Sequence, residues 1–290
     1  MENLKMIIMD MDGTLLNSEG IITERTYNAL IKAQEKGIKV VLASGRSWKT
    51  LQAFGKQLKM DEYDGYFIGV NGACITEVKT MEHNRISQLY PEDIKELFNY
   101  VKQFEVEVMG VQDSTIYNYI PDSLRELKRQ YRIENNIADD VPWTGGTFKL
   151  IVDQRKGYSE IYDLPTLEDI NVSVNKMTLC HTADVLANVY PKLLEQFKDK
   201  YNFNRTSPTW IEIAPQNVSK GNAIDILQDK FNIKPEETYI FGDGENDLSM
   251  FRCGVAVAMG NAMDTVKAQA NMITLDNNSD GIAEVIEKFI

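Results

Sequence analysis

Short apolar runs alternate with amphipathic stretches at both ends of the chain. The first run, residues 4–9, is apolar except for Lys5, which is typical of a strand buried on both faces of a sheet. Apolar residues at helical spacing follow, with Thr23 at a suitable N-cap position and Gly37 where the helix should end. The same alternation predicts further strands at 38–44, 66–73, 238–243, 254–259 and 272–275, and helices at 47–58, 220–231, 246–252, 262–270 and 281–289. This order predicts a mostly parallel sheet with helices on both faces.

The middle of the chain has a different pattern. Residues 83–212 contain most of the prolines, amphipathic helices near 91–104, 121–131 and 183–200, and less regular strands in "VEVMGVQ", "TIYNYI", "FKLIVD" and "NKMTLCH". We interpret this segment as an α/β insert between two halves, 1–82 and 213–290, of one doubly wound, Rossmann-like core. The alternative is a single large sheet domain with long loops.

Composition narrows the classes of function. The chain has 290 residues, of which 43% are hydrophobic, and a formal net charge of −12. Such a surface repels nucleic-acid backbones and anionic lipids, so neither is an expected partner. The three cysteines, Cys74, Cys180 and Cys253, form no CxxC pair and suit free thiols in a reducing compartment. Without a long apolar segment or a signal-peptide pattern, we expect a cytoplasmic protein, either a monomer or a weak homo-oligomer.

Two aspartates follow the first predicted strand. Asp10 ends that strand and Asp12 lies in the turn beyond it, so both carboxylates can converge above the carboxyl edge of the sheet. Gly13 permits a sharp turn there, and the hydroxyl of Thr14 can hydrogen-bond across it.

Further polar residues stand where other strands end or helices begin. They are Ser44 and the amide of Gly45, Lys220 behind the candidate cap Ser219, and Asp243 with Asn246 and Asp247 one turn later. Acids gathered in one cleft would repel one another unless a cation lay between them. Ligands that are all oxygen favour Mg²⁺ over zinc.

These groups suit phosphoryl transfer. The carboxylate of Asp10 can attack phosphorus to form an acyl phosphate, and a divalent cation offsets the repulsion between the two anions. Asp12 can protonate the leaving oxygen and then activate water. Lys220, the Ser44 hydroxyl and backbone amides can stabilise the charge on the transferring oxygens.

The motifs "DMDGT", "SGR", "SKG" and "GDGENDLSM", in this order, resemble the four motifs of the haloacid dehalogenase (HAD) superfamily. "NGA" at 71–73 and "MGNA" at 259–262 are similar to those of its Cof-like subfamily of sugar-phosphate phosphatases. The resemblance implies a Mg²⁺-dependent phosphatase for small phosphorylated metabolites. It also implies that residues 83–212 form a cap that closes over the site and selects the substrate.

The same resemblance implies a role for each matched residue. Asp10 would be the nucleophile and a metal ligand. Asp12 would be the acid/base and would bind the metal through its backbone carbonyl. The remaining positions would be Asp243 as metal ligand, Asp247 as its support, and Met11 (amide), Ser44, Gly45, Lys220 and Asn246 as phosphate ligands. The family often has Thr where Ser44 stands, and the hydroxyl is kept.

Several alternatives stay open or carry little weight. A phosphosugar mutase would use the same two aspartates, whereas a phospho-aspartate switch is disfavoured because Asp12 would promote hydrolysis. Residues 276–287 fit the EF-hand pattern, but a strand before and a helix after the loop are predicted instead. Arg46 is assigned no role, and Asn71 is either a substrate contact or a turn residue. The aromatic residues of the insert are interpreted mainly as core, and His181 as a hydrogen-bonded histidine at the end of a strand rather than a catalytic one.

Overall fold

The computed structural model describes residues 4–138 and 160–290. Its strands are β1 (Met6–Met9), β2 (Lys39–Ala43), β3 (Tyr66–Gly69), β4 (Cys74–Glu77), β5 (Glu82–Arg85), β6 (Glu107–Val111), β7 (Thr115–Tyr119), β8 (Glu160–Asp163), β9 (Lys176–Cys180), β10 (Tyr201–Ser207), β11 (Trp210–Pro215), β12 (Thr238–Gly242), β13 (Val255–Ala258) and β14 (Met272–Ile273). Its α-helices are α1 (Glu24–Glu35), α2 (Trp48–Gln57), α3 (Pro91–Val101), α4 (Asp122–Glu134), α5 (Ala183–Phe197), α6 (Lys220–Phe231), α7 (Leu248–Phe251), α8 (Asp264–Lys267) and α9 (Gly281–Ile286). The predicted strand "FKLIVD" lies outside the described residues.

The chain forms two compact units. The core unit comprises Met1–Ile86 and Val218–Ile290, and the insert unit comprises Ser87–Asn217. These bounds differ from the predicted 83–212. Strand β5 pairs with β4 in the sheet of the core unit, whereas β11 continues to Pro215 in the sheet of the insert unit. Strand pairing, which the sequence pattern does not contain, decides both bounds.

The core unit is built on an eight-stranded sheet with the order β14-β13-β12-β1-β2-β3-β4-β5. Strand β1 lies between β12 and β2, parallel to both, and its four side chains are fully buried. Antiparallel pairing is confined to one end of this sheet, where β4 pairs with β3 on one side and with the edge strand β5 on the other. The prediction of a doubly wound, mostly parallel α/β core with an inserted α/β domain is confirmed.

The third strand ends earlier than predicted. It stops at Gly69, and the next three residues all have positive φ: Val70 at 51°, Asn71 at 54° and Gly72 at 100°. A β-branched residue in this region is a genuine outlier. The turn is held by long-range bonds, because the amides of Val70 and Asn71 donate to the carbonyls of Arg46 and Ser44.

Local signals explain where several helices of the core unit begin and end. Helix α6 begins after Ser219, whose side chain accepts a hydrogen bond from the amide of Asn222 at 3.1 Å. Helix α1 is followed by Gly37 at φ 81°. Thr23 and Asp280 stand at the N-cap positions of α1 and α9, but neither side chain makes a capping bond; the Thr23 hydroxyl instead donates to the Asp280 carboxylate.

The insert unit has a six-stranded sheet with the order β10-β11-β9-β6-β7-β8. All its pairs are antiparallel except β7 with β8. Apolar side chains of α3 and α5 share a core with those of β6, β9 and β11, among them Leu97, Phe98, Leu186, Val108, Leu179 and Ile211. Strands β8, β10 and β11 are absent from the sequence prediction.

The parallel strands of the core unit place the ends of β1, β2 and β12 at one edge of the sheet, which is where α/β proteins bind ligands. No helix within residues 4–138 or 160–290 is long and apolar enough to cross a membrane.

Candidate active site

The first strand delivers Asp10 to the carboxyl edge of the core sheet. The Asp10 amide donates to the carbonyl of Phe241 on the neighbouring strand β12 at 3.1 Å, and the residue is only 7% exposed. The chain then turns through Gly13, which has a φ of 79°. A Cβ atom at this glycine would lie 2.4 Å from Oδ2 of Asp243, so the residue permits a close approach as well as a turn.

Three carboxylates meet at this point. Asp10, Asp243 and Asp247 each offer a carboxylate oxygen, and these oxygens lie within 4.8 Å of one another. The hydroxyl of Thr14 donates to Oδ1 of Asp243 at 3.0 Å and so fixes that side chain against the first turn.

Lys220 is buried among these acids. It is 1% exposed, and its Nζ donates to Oδ1 of Asp10 at 2.5 Å and to Oδ1 of Asp247 at 2.7 Å. The other oxygen of Asp247 accepts hydrogen bonds from the amides of Asp243 and Gly244, at 3.0 and 3.2 Å. Asp247 therefore holds both the lysine and the loop that carries Asp243.

The electrostatics show an excess of negative charge. Burial raises the pKa of Asp10 to about 7, because the attraction of Lys220 offsets desolvation only in part and Asp247 adds repulsion. Burial and the charge of Asp247 likewise raise the pKa of Asp243 to about 6. Although burial alone would lower it, Asp10 and Asp247 raise the pKa of Lys220, which stays protonated.

The donor set fits a divalent cation. Three ionised carboxylates facing one ammonium group would leave two uncompensated charges in a buried site, and a divalent cation balances them. The neighbouring ligands are oxygen atoms, which hard cations prefer.

Of the predicted phosphate ligands, Ser44 is placed most clearly. It is 3% exposed, and its Oγ accepts a hydrogen bond from the amide of Arg46 at 3.1 Å. The hydroxyl hydrogen therefore remains available for an anion. Gly45 lies beside Asn71, whose Oδ1 would be 3.1 Å from a Cβ atom at the glycine. Asn246 is exposed, with Oδ1 close to Gly244, and the side chain of Met11 is fully buried in the core.

Asp12 stands apart from the acidic cluster. Its side chain is 64% exposed and forms a two-point ion pair with Arg46, with Nε–Oδ2 at 3.1 Å and Nη2–Oδ1 at 2.5 Å. The sequence analysis left Arg46 without a role. The only available signal was its position directly after the Ser44–Gly45 pair.

Two asparagines brace the first turn: Asn261, which belongs to the "MGNA" segment noted in the sequence analysis, and Asn277, which the sequence analysis missed. Nδ2 of Asn261 donates to the carbonyl of Gly13, and Nδ2 of Asn277 donates to the carbonyl of Leu16, both at 2.8 Å. The amide of Asn277 donates to Oδ1 of Asn261 at 3.1 Å, which joins the two braces. The "MGNA" segment thus contacts the turn that follows β1.

The EF-hand-like loop has the predicted strand–loop–helix form. Strand β14 precedes it and α9 begins at Gly281. The Asp280 carboxylate accepts from Thr23 and Thr26, and Glu287 pairs with Arg25, so these two carboxylates already have partners in the fold.

Three aromatic residues of the insert unit that could have lined a substrate pocket pack against other side chains. Tyr117 stacks on Tyr162, Tyr119 contacts Phe98 edge to face, and Trp210 packs against a small apolar cluster. Trp143 lies outside the described residues.

Comparison with known proteins agrees with this geometry. Residues 7–286 match the family model of haloacid dehalogenase-like hydrolases. The chain is 27% identical to 5-amino-6-(5-phospho-D-ribitylamino)uracil phosphatase YwtE of Bacillus subtilis, over 99% of this chain and 98% of the relative.

Two solved structures are similar over nearly the whole chain. A haloacid dehalogenase-like hydrolase from Bacteroides thetaiotaomicron is 30% identical with a TM-score of 0.76, over 99% of this chain and 100% of the other. The HAD subclass IIB sugar phosphatase BT4131 is 27% identical with a TM-score of 0.72, over 98% of both chains. The chain therefore belongs to the haloacid dehalogenase-like hydrolases, and within that family it is a phosphatase.

Proposed function

We propose that the protein is a Mg²⁺-dependent phosphatase that hydrolyses small phosphorylated metabolites, sugar phosphates among them, through an aspartyl-phosphate intermediate. The observation that carries the proposal is the buried contact of Lys220 with Asp10, beside the carboxylate of Asp243. Two similar proteins support this substrate class. One is named as a phosphatase of a phosphorylated ribityl compound, and the other is named as a sugar phosphatase.

Each chemical step is assigned to a residue of this chain. A carboxylate oxygen of Asp10 attacks phosphorus, and the bond from phosphorus to the leaving oxygen breaks as the acyl phosphate forms. Asp12 gives its proton to the leaving oxygen. In the second step Asp12 takes a proton from water, which attacks the phosphorus and returns Asp10 to its free carboxylate.

The charge of the transferring group is met by donors from several elements. The Lys220 ammonium is held next to Asp10, the Ser44 hydroxyl has its hydrogen free, and the amides of Met11 and Gly45, with Asn246, complete the proposed phosphate site. Asp10, Asp243 and the backbone carbonyl of Asp12 would hold Mg²⁺, with Asp247 supporting them. When bound, Mg²⁺ supplies positive charge that offsets the repulsion between carboxylate and phosphate.

The test is a screen of sugar phosphates and other phosphorylated metabolites with Mg²⁺, reading released phosphate. Asp10→Asn keeps the size of the side chain and removes the nucleophile, so turnover should be abolished while the circular dichroism spectrum is unchanged. Asp64→Asn is the matched control, because Asp64 pairs with Lys79 at an exposed surface position. EDTA should silence the wild type and Mg²⁺ should restore it.

Turnover by Asp10→Asn at the wild-type rate would refute the assignment of Asp10 as the nucleophile. Product analysis separates the alternative chemistry, because a phosphosugar mutase would yield an isomeric sugar phosphate in place of inorganic phosphate.

We also propose that the protein acts in the cytoplasm as a monomer or a weak homo-oligomer. Cys74, Cys180 and Cys253 are buried and form no disulfide in the described part of the chain, which supports a reducing compartment. Cell fractionation and size-exclusion chromatography test these two statements.

A further inference from the structure

We propose that Arg46 is a positioning residue that orients the acid/base Asp12. The inference rests on the proposed function, because it gives Arg46 a part in the proton transfer of that reaction. It assigns a purpose to the one residue of the "SGR" motif for which the sequence analysis found none.

The first observation is the geometry of the contact. Both carboxylate oxygens of Asp12 are engaged by one planar guanidinium group, through Nε and Nη2. Within the described residues, this carboxylate has no other hydrogen-bond partner. An exposed aspartate on a turn would otherwise occupy several rotamers. The guanidinium group therefore selects one orientation.

The second observation is that the backbone of Arg46 is fixed on both sides. Its amide donates to Oγ of Ser44, and its carbonyl accepts from the amide of Val70 at 2.9 Å. Val70 adopts a left-handed conformation that disfavours a β-branched residue, so the surrounding structure must impose it. Strain of this kind clusters at functional sites and here holds the residue that contacts Asp12.

The exposure of the pair argues against a purely structural purpose. The Arg46 and Asp12 side chains are 41% and 64% exposed, and ion pairs of this kind contribute little to stability. Loss of the pair should therefore leave the stability of the fold nearly unchanged and should slow the proton transfer that Asp12 performs.

That step can be isolated by the choice of leaving group. As the phosphorus–oxygen bond breaks, phenol leaves as a strong base and needs a proton from Asp12. p-Nitrophenol is a much stronger acid and can leave as its anion without that proton. Phenyl phosphate and p-nitrophenyl phosphate are otherwise similar in size and charge.

The experiment compares kcat for both esters in the wild type, Arg46→Gln and Arg46→Lys. We expect Arg46→Gln to lower kcat for phenyl phosphate by about tenfold or more, within the range of general-acid effects, and to change kcat for p-nitrophenyl phosphate much less. Arg46→Lys keeps the charge but not the two-point contact, so its kcat for phenyl phosphate should lie between those of the wild type and Arg46→Gln. Arg25→Gln is the matched control, since Arg25 is also 41% exposed and pairs with Glu284 and Glu287 away from the site.

A double variant tests whether Arg46 acts through Asp12. Once Asp12→Asn has removed the acid, adding Arg46→Gln should cause no further loss for phenyl phosphate. Equal losses on both esters, or a raised KM with unchanged kcat, would overturn the inference and make Arg46 a phosphate ligand. If the wild type released phosphate from neither ester nor from any metabolite of the screen, the proposed function would fail together with this inference, whereas equal losses leave the proposed function intact.

Discussion

Lys220 sets the charge balance of the acidic cluster. It is the ammonium group that contacts both Asp10 and Asp247, and it is almost completely buried. A buried charge costs free energy unless it is paired, so this lysine and its two aspartates stabilise one another. In the proposed mechanism, the same ammonium group would stabilise the charge that develops on a phosphate attacked by Asp10.

Lys220→Met should therefore affect both catalysis and stability. Loss of a positioned donor of this kind costs about 2–4 kcal/mol of transition-state stabilisation, which is roughly a 30- to 1000-fold fall in kcat. In EDTA at pH 8, the free energy of unfolding should fall by about 3–5 kcal/mol, because Asp10 and Asp247 are left buried without their cation. Steady-state kinetics and urea titration measure the two effects. Lys56→Met is the control, because Lys56 is exposed. A loss of less than tenfold in kcat for Lys220→Met would mean that Lys220 contributes little to catalysis.

Gly13 is required for two reasons, a positive φ and a close contact with Asp243. Gly20 shares the positive φ but not the close contact, so a comparison of the two glycines separates these effects. Gly20 has nearly the same φ, 75° against 79°, but a Cβ atom there would meet nothing within 4 Å. Gly20→Ala should cost about 1 kcal/mol of stability and leave activity unchanged. Gly13→Ala should also displace the Asp243 carboxylate and lower Mg²⁺ affinity or activity by about 10–100-fold. Calorimetric titration with Mg²⁺ measures this, and equal behaviour of the two variants would contradict it.

Helix α6 is the element that carries Lys220 into the site, and its bounds follow from local signals. Ser219 caps the first turn, and Asn232 adopts the left-handed conformation that ends the helix. The sequence therefore predicts Lys220–Phe231 to the residue. The end of β3 could not be predicted in this way. The turn at Val70 and Asn71 is fixed by hydrogen bonds from their amides to the carbonyls of Arg46 and Ser44, which lie more than twenty residues away in the sequence.

The same limit applies to other elements and to the site. Strands β10 and β11 do carry a local signal, because polar and apolar residues alternate over 201–204 and 211–213, but the pairing of β11 with β9 is not contained in that pattern. The Asp12–Arg46 pair joins two loops that are 34 residues apart, so no local pattern indicates it. The convergence of Asp10 and Asp243 was predictable because parallel strands bring their carboxyl ends to one edge of the sheet. Contacts between loops were not.

The cap of α6 offers a prediction at the scale of one element. Ser219→Ala removes the bond to the Asn222 amide and should lower the free energy of unfolding by about 1 kcal/mol. Ser219→Asn can accept the same bond and should stay near the wild type. Because the ion pairs still hold Lys220, kcat should change little in either variant. Urea titrations with parallel kinetics test this, and a large loss of activity in Ser219→Ala alone would show that the cap itself positions the lysine.

At the scale of the whole molecule, the acidic site links stability to pH and to metal. The pKa of Asp10 is about 7 in the folded protein, against an ordinary value of 3.8 expected in the unfolded chain. Between these values the folded state binds more protons than the unfolded state. The contribution of Asp10 is therefore fully present below pH 4 and is lost as the pH rises through 7. Asp243 shifts in the same direction.

Comparison with Asp10→Asn isolates this effect, because both proteins share every other titrating group. In EDTA, the unfolding free energy of the variant minus that of the wild type should increase by about 3 kcal/mol between pH 5 and pH 8. At pH 8, saturating Mg²⁺ should make the wild type more stable than the variant, since the cation binds the folded wild type more tightly. Urea titrations at the two pH values, with and without Mg²⁺, measure both differences. A difference that does not change with pH in EDTA would mean that Asp10 is ionised at pH 5, and that Lys220 alone balances the buried acids.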